Sequence, residues 1–461
     1  MPIKLYNTFS GKLEEFKPIE KNKVRMYNCG PTVYDYVHIG NFRTFLMADL
    51  LRRMFEYFNY EVKQIKNITD VGHLTQEDIE AGEDKMLKAA KREKKSPFDI
   101  ARFYEKAFHE DEAKLGILPA YKFPRATEYI PQMIEMIKIL TEKGFAYEIE
   151  GSVFYDVDKF ANYGKLSGNT LEHLKTGARL EAHPDKKHPY DFALWLKADA
   201  NHIMQWDSPW SRGYPGWHIE CSAMSKANLG ETLDIHTGGE DNVFPHHEDE
   251  IAQSEGASGK RFVNYWVHGR HLLVDGEKMS KSKGNFYTIS EFEKRKIDPI
   301  AFRYLCLTTH FQSQLNFTWK SIEASRNALN KMIEFMKTEN DKDGEGYIIN
   351  EFDDKFKEAL ENNLDTPKAL ATAWEMIRSK DYSMNDKIET LLKFDRFFGF
   401  NLKNIAVESA EIPKEIIELS EERMKARKNK DWKKSDEIRD MIEKKGFSIE
   451  DSKDGQKIKK K

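Results

Sequence analysis

The segment from Val24 to Thr69 constrains the fold most, because it has the pattern strand, loop, helix, strand. Val24 to Tyr27 is apolar enough for a buried strand, and Gly30 and Pro31 end it. After the loop, apolar residues recur at helical spacing, and a second strand is predicted from Tyr60 to Thr69. Such β-α-β units build parallel sheets. The chain is therefore predicted to have an α/β fold around a parallel sheet.

The start of the predicted helix, His38-Ile39-Gly40-Asn41, is a candidate anion site. A helix N-terminus offers unpaired N–H groups and the positive end of the helix dipole. Gly40 permits close backbone approach, and His38 adds a side-chain donor. Taken alone, the segment is explained equally well as a chance histidine at a helix cap.

A second candidate phosphate site is the segment from Lys278 to Gly284, which follows a predicted strand. It contains three lysines, two serines and a glycine. A mobile cationic loop suits phosphoryl chemistry, in which negative charge grows in the transition state. A lysine cluster of random sequence would instead be a solvated turn.

Together the two segments resemble the signatures of class I aminoacyl-tRNA synthetases. Lys278–Ser282 matches the KMSKS signature, and His38–Asn41 resembles the HIGH signature with Asn41 in place of the last histidine. The resemblance implies a Rossmann-type fold, an aminoacyl-adenylate intermediate and release of pyrophosphate. It implies His38, Lys278 and Lys281 as catalytic residues. Gly238-Gly239-Glu240-Asp241 resembles the adenosine-binding loop, so the implied ATP-binding residues are His38, Gly40, Asn41, Gly238, Gly239, Asp241 and Lys281.

Four residues far apart in the sequence have side chains suited to zinc: Cys29, Cys221, His246 and Glu250. His246 and Glu250 are four residues apart, so they share one helix face, and the same geometry predicts that His247 points elsewhere. Each residue also has a simpler interpretation. A lone cysteine is usually a small buried hydrophobe, and a His/Glu pair is usually a solvated helix face.

The surroundings of these four residues resemble cysteinyl-tRNA synthetases, at Tyr27–Asp35, Gly216–Cys221 and Phe244–Glu250. The resemblance implies that they bind one zinc ion per chain, which would hold the substrate thiolate and select cysteine without an editing domain. Cys306 has no such match and is predicted to be a core residue. The implied substrate-binding residues are Cys29, Thr69, Trp217 and His218, although ordinary packing explains the last three equally well.

The predicted organisation is a Rossmann-type parallel-sheet catalytic domain with an inserted connective domain, an all-α helix bundle and a small C-terminal anticodon-binding domain. The boundaries are 1–116 and 216–306 for the catalytic domain, 117–215 for the insertion, 307–405 for the bundle and 406–461 for the last domain. Residues 72–90 depart from the family pattern, so no role is predicted for them.

The C-terminal segment resembles the anticodon-binding module of the family, and Arg427, Trp432, Asp436 and Asp451 are the candidate anticodon contacts. An exposed tryptophan can stack on an unpaired base. The net charge of −4 gives no support for RNA binding, but residues 421–461 contain fifteen Lys/Arg and ten Asp/Glu. The alternative is that Trp432 anchors a small helical core.

Three cysteines in 461 residues argue for a reducing compartment, and neither a signal peptide nor a membrane-spanning stretch is evident. We therefore expect a cytoplasmic protein, and the family resemblance implies a monomeric enzyme with ATP, Mg²⁺, L-cysteine and tRNA(Cys) as partners. Two other functions stay open. The chain could join activated cysteine to a small amine, or it could be an inactive paralogue that acts as a binding protein.

Overall fold

The computed structural model describes residues 2–71, 74–76, 81–169, 186–199, 202–280, 284–337, 345–404, 413–429, 431–452 and 455–460. They divide into two units, residues 1–327 with 346–400, and residues 328–345 with 401–461. None of the described helices combines the length and apolar character needed to cross a bilayer.

The α-helices are numbered in chain order. They are α1 Ile39–Tyr57, α2 Lys85–Glu93, α3 Pro97–Lys114, α4 Ile130–Glu142, α5 Trp217–Leu229, α6 Glu248–Ser258, α7 Ser290–Lys294, α8 Ile300–Leu307, α9 Trp319–Met336, α10 Asn350–Glu361, α11 Thr366–Arg378, α12 Met384–Phe398, α13 Lys414–Lys428 and α14 Trp432–Lys444.

The β-strands are numbered in the same way. They are β1 Lys4–Asn7, β2 Lys12–Glu15, β3 Lys23–Asn28, β4 Glu61–Lys66, β5 Leu74–Gln76, β6 Ala81–Asp84, β7 Ala146–Ile149, β8 Ser152–Tyr155, β9 Phe192–Lys197, β10 Trp206–Asp207, β11 Arg212–Pro215, β12 Leu233–Gly239, β13 Val263–Gly269, β14 Leu272–Val274, β15 Glu277–Lys278, β16 Leu315–Phe317, β17 Phe447–Ser452 and β18 Gly455–Lys460.

A four-stranded parallel sheet forms the centre of the first unit, in the order β13-β12-β3-β4. Helix α1 connects β3 to β4, and α6 connects β12 to β13, so the two connections run in opposite directions from the middle of the sheet. Ligands bind at the carboxyl ends of strands where the strand order reverses in this way. The arrangement confirms the predicted Rossmann-type α/β class and places the expected site beyond β3 and β12.

A five-stranded antiparallel sheet, in the order β10-β11-β9-β8-β7, is built entirely from residues 146–215. Both faces of β8 are buried, and Trp195 of β9 is fully buried. Gly213 and Gly216 are required here because a Cβ at either position would come within about 2 Å of a backbone carbonyl of β9. The sheet therefore holds Gly216, which begins α5, at a fixed place beside the parallel sheet.

Helix α1 is bound to its neighbours by a buried ion network. The Arg303 guanidinium of α8 is fully buried and donates to the Asp49 carboxylate of α1, with N and O 2.6 Å apart. It also donates to the carbonyls of Leu115, Gly116 and Phe398. Although burial alone would raise the pKa of Asp49, Arg303 and Arg53 hold it below its usual value. This network fixes the helix whose N-terminus was predicted to bind phosphate.

Helices α10 to α12 pack against each other through aromatic side chains, as the prediction of a helical region after residue 307 requires. The rings of Phe356 and Phe394 are stacked with centroids 4.0 Å apart, and both are fully buried. The Tyr57 hydroxyl of α1 donates to Asp353 of α10 at 2.6 Å. Gly399, with φ +67°, ends α12 in the left-handed conformation that favours glycine.

The second unit contains α13, α14 and the antiparallel hairpin of β17 and β18. Apolar residues of these elements form its core: Ile416, Ile438, Ile442, Phe447 and Ile449. Asp431 caps α14 by accepting a hydrogen bond from the Lys434 N–H at 3.1 Å.

The buried network yields a stability prediction. Replacing Asp49 by alanine leaves the Arg303 charge buried and uncompensated, which should destabilise the fold by about 3–5 kcal/mol. The matched control is Glu358→Ala, which breaks the exposed Lys368–Glu358 pair, whose side chains are 47% and 48% exposed, and should change the stability very little. Urea unfolding of both variants measures the difference, and equal costs would contradict this account of α1.

Candidate active site and metal centre

The chemistry-bearing residues of the first unit gather at the carboxyl ends of the parallel strands. Cys29 follows β3, Gly238 and Gly239 end β12, His268 lies near the end of β13, and Thr69 follows β4. Because parallel strands end at one edge of the sheet, residues far apart in sequence become neighbours. The predicted site residues of this unit therefore meet in one region.

The backbone around Cys29 is held closely between β12 and β4. The Cys29 N–H donates to the Thr237 carbonyl at 3.3 Å, and the Gly30 N–H donates to the Asn67 side-chain carbonyl at 2.8 Å. A Cβ at position 30 would lie 1.7 Å from the Asn67 carbonyl oxygen, so only glycine fits. These contacts fix the direction of the Cys29 side chain.

Two thiols, two imidazoles and a carboxylate converge beside Cys29. The Cys29 Sγ lies 4.0 Å from the Cys221 Sγ, 3.3 Å from the His247 Nε2 and 3.8 Å from the Glu250 Oε1. The His246 Nε2 is 3.0 Å from the same Glu250 oxygen. Candidate ligand atoms of Cys29, His246, His247 and Glu250 all lie within 4.8 Å of one another. Of the predicted zinc ligands, Cys29, His246 and Glu250 belong to this group, and Cys221 adjoins it through the Cys29 thiol.

His247 also lies in this cluster, so the prediction that it points elsewhere is wrong. The prediction assumed a regular α-helix from Pro245 onward. The chain is kinked at Phe244, which has extended backbone angles, φ −141° and ψ 135°, and α6 begins only at Glu248. His247 and His246 precede Glu250 by three and four residues, and both spacings bring a side chain beside Glu250 on a helix. His247 therefore reaches the donor cluster together with His246.

The cluster is buried, and burial controls its protonation. Burial raises the pKa of the Cys29 thiol well above its usual value, and the neighbouring Cys221 and Glu250 raise it further. Although burial would also raise the pKa of Glu250, His236 and His246 lower it to about 2. Burial and the surrounding histidines hold the pKa of His247 well below its usual value. A carboxylate and neutral imidazole beside two thiols are ligands that a divalent cation accepts.

A set of polar contacts orients the donor side chains. The His236 Nε2 lies 2.9 Å from Glu250 Oε2, and the His218 Nδ1 lies 2.8 Å from His246 Nδ1. The His247 Nδ1 lies 2.7 Å from His268 Nε2, whose other nitrogen contacts the Thr8 hydroxyl at 2.8 Å. Such outer partners fix the ring orientation and tautomer of metal ligands.

A cavity of about 400 Å³ extends from Cys29 to the start of α1. Trp217 lines it, with its ring centroid 4.6 Å from that of His246. His218 is buried behind Trp217, and Thr69 is buried with its hydroxyl donating to Glu220 Oε2 at 2.9 Å. Of the predicted substrate-binding residues, Cys29 and Trp217 face the cavity, and His218 and Thr69 have contacts that support its wall.

His38 caps α1 at the other end of the cavity. Its Nδ1 accepts a hydrogen bond from the Asn41 N–H at 3.2 Å, which leaves the proton of a neutral ring on Nε2. The Ile39 N–H donates to the Tyr287 carbonyl at 3.0 Å, so the helix start is attached to the segment after the lysine loop. A Cβ at Gly40 would lie 3.0 Å from the His38 ring. The helix N-terminus that was predicted to bind an anion therefore lies at the cavity, with its Ile39 and Asn41 N–H groups paired within the protein.

A smaller cavity of about 140 Å³ adjoins the first and shares His38, Asn41, Gly239 and Asp241 with it. A Cβ at Gly238 would lie 2.6 Å from the His247 ring, and one at Gly239 would lie 2.3 Å from Asp241 Oδ1. Both glycines therefore let the end of β12 pass close to neighbouring groups. Together the cavities have the polar lining expected for a nucleotide.

The lysine loop begins at this second cavity. Lys278 and Met279 line this cavity. The Asn285 side chain joins the two sides of the loop, because it accepts a hydrogen bond from the Ser280 N–H at 2.8 Å and donates one to the Lys278 carbonyl at 3.3 Å. Lys281 lies outside the described residues.

Several residues of the site were not predicted from the sequence. Two of them contact the donor cluster: His236 lies beside Glu250, and His268 lies beside His247. Asn242 accepts a hydrogen bond from the Gly239 N–H at the end of β12, and Glu240 accepts from the His271 N–H at 2.7 Å. A histidine on a strand is usually a core residue, so its spacing alone gave no signal. The nearest signal was a histidine on each of two successive strands, His236 in the middle of β12 and His268 near the end of β13.

In the second unit, Trp432 is 57% exposed at the start of α14, and the Arg427 guanidinium lies 5.6 Å from its ring centroid. The alternative that Trp432 anchors a helical core is therefore wrong. Asp436 is also exposed, and Asp451 lies in β17.

In the first unit, the prediction that Cys306 is a core residue is confirmed by its burial in α8.

Asp70, next to Thr69, gives a pH prediction. Its carboxylate accepts from the Thr127 N–H at 2.9 Å and hydroxyl at 2.7 Å, but burial still raises its pKa to about 6. Ionisation of Asp70 is harder in the folded chain than in the unfolded chain. The free energy of unfolding should therefore fall by up to about 3 kcal/mol as the pH rises from about 4 to 6. The Asp70→Asn variant should gain stability relative to the parent over that window. Unfolding measured across pH 4–7 tests this, and a constant difference would contradict it.

Comparison with known proteins agrees with this geometry. Residues 15–327 match the family described as the tRNA synthetases class I (C) catalytic domain, and residues 409–458 match the cysteinyl-tRNA ligase anticodon binding domain. The cysteine–tRNA ligase of Treponema denticola is 43% identical over 98% of both chains. That of Chlorobium chlorochromatii is 40% identical over 99% of this chain and 98% of its own.

Among solved structures, the methionyl-tRNA synthetase of Mycobacterium tuberculosis in complex with methionyl-adenylate has a similar fold. The TM-score is 0.56 at 12% identity, over 83% of this chain and 90% of the other. At this identity the likeness concerns the fold alone, and it agrees with the class I architecture. On the full-length relatives and both family matches, the chain belongs to the cysteine–tRNA ligase family of class I aminoacyl-tRNA synthetases.

Proposed function

We propose that the chain activates L-cysteine with ATP and transfers it to the 3′-terminal ribose of tRNA(Cys). One observation carries this proposal: the buried thiol, imidazole and carboxylate cluster opens into the cavity that ends at His38. An amino-acid side chain at Cys29 and a phosphate at the start of α1 would thus occupy one continuous space. The family supports the same overall reaction.

The donor set fits a zinc ion held by Cys29, Cys221, His246 and Glu250. Thiolate and imidazole are soft and borderline ligands that favour zinc over magnesium or calcium. When bound, zinc would supply a direct bond to the substrate thiolate, which the hydroxyl of serine matches poorly. We propose one zinc ion per chain, with Mg²⁺ accompanying ATP.

In the first step, a carboxylate oxygen of cysteine attacks the α-phosphorus of ATP, and the bond from that phosphorus to pyrophosphate breaks. His38 lies at the helix N-terminus, where its Nε2 proton and the positive end of the α1 dipole can stabilise the phosphate oxygens. Lys278, and Lys281 in the same loop, add positive charge. Gly40, Asn41, Gly238, Gly239 and Asp241 shape the nucleotide site.

In the second step, a hydroxyl of the terminal ribose, 2′ in this class, attacks the cysteinyl carbonyl and AMP leaves. The enzyme contributes mainly positioning and charge to both steps. Trp217 closes the cavity beside the cysteine side chain, supported by His218, while Thr69 holds Glu220. These contacts keep water from the mixed anhydride.

The rest of the chain would hold the tRNA. We propose the domain boundaries 1–116 with 216–306, 117–215, 307–405 and 406–461. Arg427, Trp432, Asp436 and Asp451 are proposed anticodon contacts, since the exposed ring of Trp432 can stack on an unpaired base. We also propose that the enzyme works as a monomer in the cytoplasm.

The direct test is charging of tRNA with labelled cysteine in the presence of ATP and Mg²⁺. We expect cysteine-dependent pyrophosphate exchange and cysteinyl-tRNA, with serine refused in both assays. Exchange without charging would contradict the proposal and favour ligation of cysteine to a small amine. A folded protein with neither activity would be an inactive paralogue.

A second prediction separates the metal ligands from their neighbour. Cys221→Ala should lose stoichiometric zinc and most cysteine-dependent exchange, because two of the four proposed ligands are thiolates. His247→Ala should retain zinc, since the four proposed ligands do not include His247 and its Nδ1 already contacts His268, although its Nε2 lies 3.3 Å from the Cys29 Sγ. Metal analysis of both purified variants gives the answer. Loss of zinc from His247→Ala with retention in Cys221→Ala would reverse the assignment.

A further inference from the structure

The mouth of the larger cavity carries an exposed aromatic surface, which the mechanism above does not use. Tyr36 lines the cavity and is 46% exposed. Its ring centroid lies 6.3 Å from that of Phe103 on α3, which is 43% exposed. The Lys95 ammonium lies 4.4 Å above the Phe103 ring. We call Tyr36, Lys95 and Phe103 the rim surface.

The rim surface is not explained by the packing of α3. That helix buries Ile100, Tyr104 and Phe108 against the core around α1, and Phe103 is on its outer side. The Tyr36 ring packs edge-on against Tyr104, with centroids 5.1 Å apart, and this contact holds it at the cavity mouth. Tyr36 and Phe103 are thus neighbouring exposed rings, one of which lines the cavity.

The same stretch of chain is strongly basic. Residues 85–106 contain eight Lys/Arg and three Asp/Glu, whereas the whole chain has a net charge of −4. Glu93 lies 2.9 Å from Arg92 and 3.4 Å from Lys95, and Asp35 lies 3.8 Å from Arg92. Because these ion pairs are partly exposed, phosphate groups can compete for the cations at little cost. With Lys85, which lines the cavity, three cations adjoin the rim surface against the two carboxylates of Asp35 and Glu93, a small positive excess that suits a polyanion.

We infer that the rim surface binds the unpaired 3′ end of the tRNA, an inference that rests on the proposed function. The terminal ribose must enter the cavity, so the nucleotides before it must cross the cavity mouth. Unpaired bases stack on aromatic rings, and lysines beside the rings bind the backbone phosphates. Two rings are too few for a stable protein interface but sufficient for one or two bases.

The test measures tRNA binding to Phe103 variants, with intact tRNA and with tRNA that lacks its unpaired 3′ nucleotides. Phe103→Leu keeps an apolar side chain but removes the ring, so the Kd for intact tRNA should rise about ten-fold and that for shortened tRNA should not change. Phe103→Tyr keeps the ring, so its Kd values for intact and shortened tRNA should equal those of the parent protein. Tyr121→Leu is the control, because Tyr121 is 71% exposed beneath Lys63 and does not line the cavity.

Cysteine-dependent pyrophosphate exchange separates this inference from the proposed function. Phe103→Leu should exchange at the parent rate, because activation does not need tRNA and Phe103 lies outside the cavity lining. Unchanged binding of intact tRNA by Phe103→Leu, or equal weakening for both tRNAs, would overturn the inference while leaving activation intact. Absence of exchange in the parent protein would instead reject the proposed function.

Discussion

The buried cluster of ionisable side chains around Cys29 is the constraint on which the site depends. The Cys29 Sγ lies 4.0 Å from the Cys221 Sγ and 3.8 Å from the Glu250 Oε1, and burial together with these two neighbours opposes ionisation of the Cys29 thiol, whereas His236 and His246 keep Glu250 ionised. A bound cation would favour the charged form of the Cys29 thiol as well. The cluster is thus poorly suited to structure alone and well suited to a metal. The neighbouring histidines then serve to orient the donors.

The parallel sheet joins this cluster to the nucleotide site. Strands β3 and β12 are adjacent, so Cys29 and Gly239 end at the same edge, and the helix after β3 begins at His38. Substrate thiol and ATP phosphates would therefore be held by elements that are only a short loop apart. The buried Arg303–Asp49 pair keeps α1 in register with the strands. Preorganisation of this kind is what adenylate formation requires from a protein.

The sequence allowed the fold class, the family and the meeting of the four proposed ligands to be predicted, since these follow from motifs and from residue types. The position of His247 was predicted wrongly, because the i, i+4 rule was applied to His246 and Glu250 alone, and the i, i+3 spacing of His247 also brings it beside Glu250. Trp432 was ambiguous because sequence does not show whether a ring is buried or exposed. The ion network at Arg303 was also missed, since it joins residues about 250 positions apart.

The central claim is that a metal at the Cys29 cluster binds the thiol of the substrate. X-ray absorption at the zinc edge tests it most directly, because it counts the sulfur atoms around the ion at about 2.3 Å. We predict that addition of cysteine raises the sulfur count by one, and that serine at the same concentration leaves the spectrum unchanged. A spectrum unaltered by cysteine would contradict the claim and make the metal purely structural.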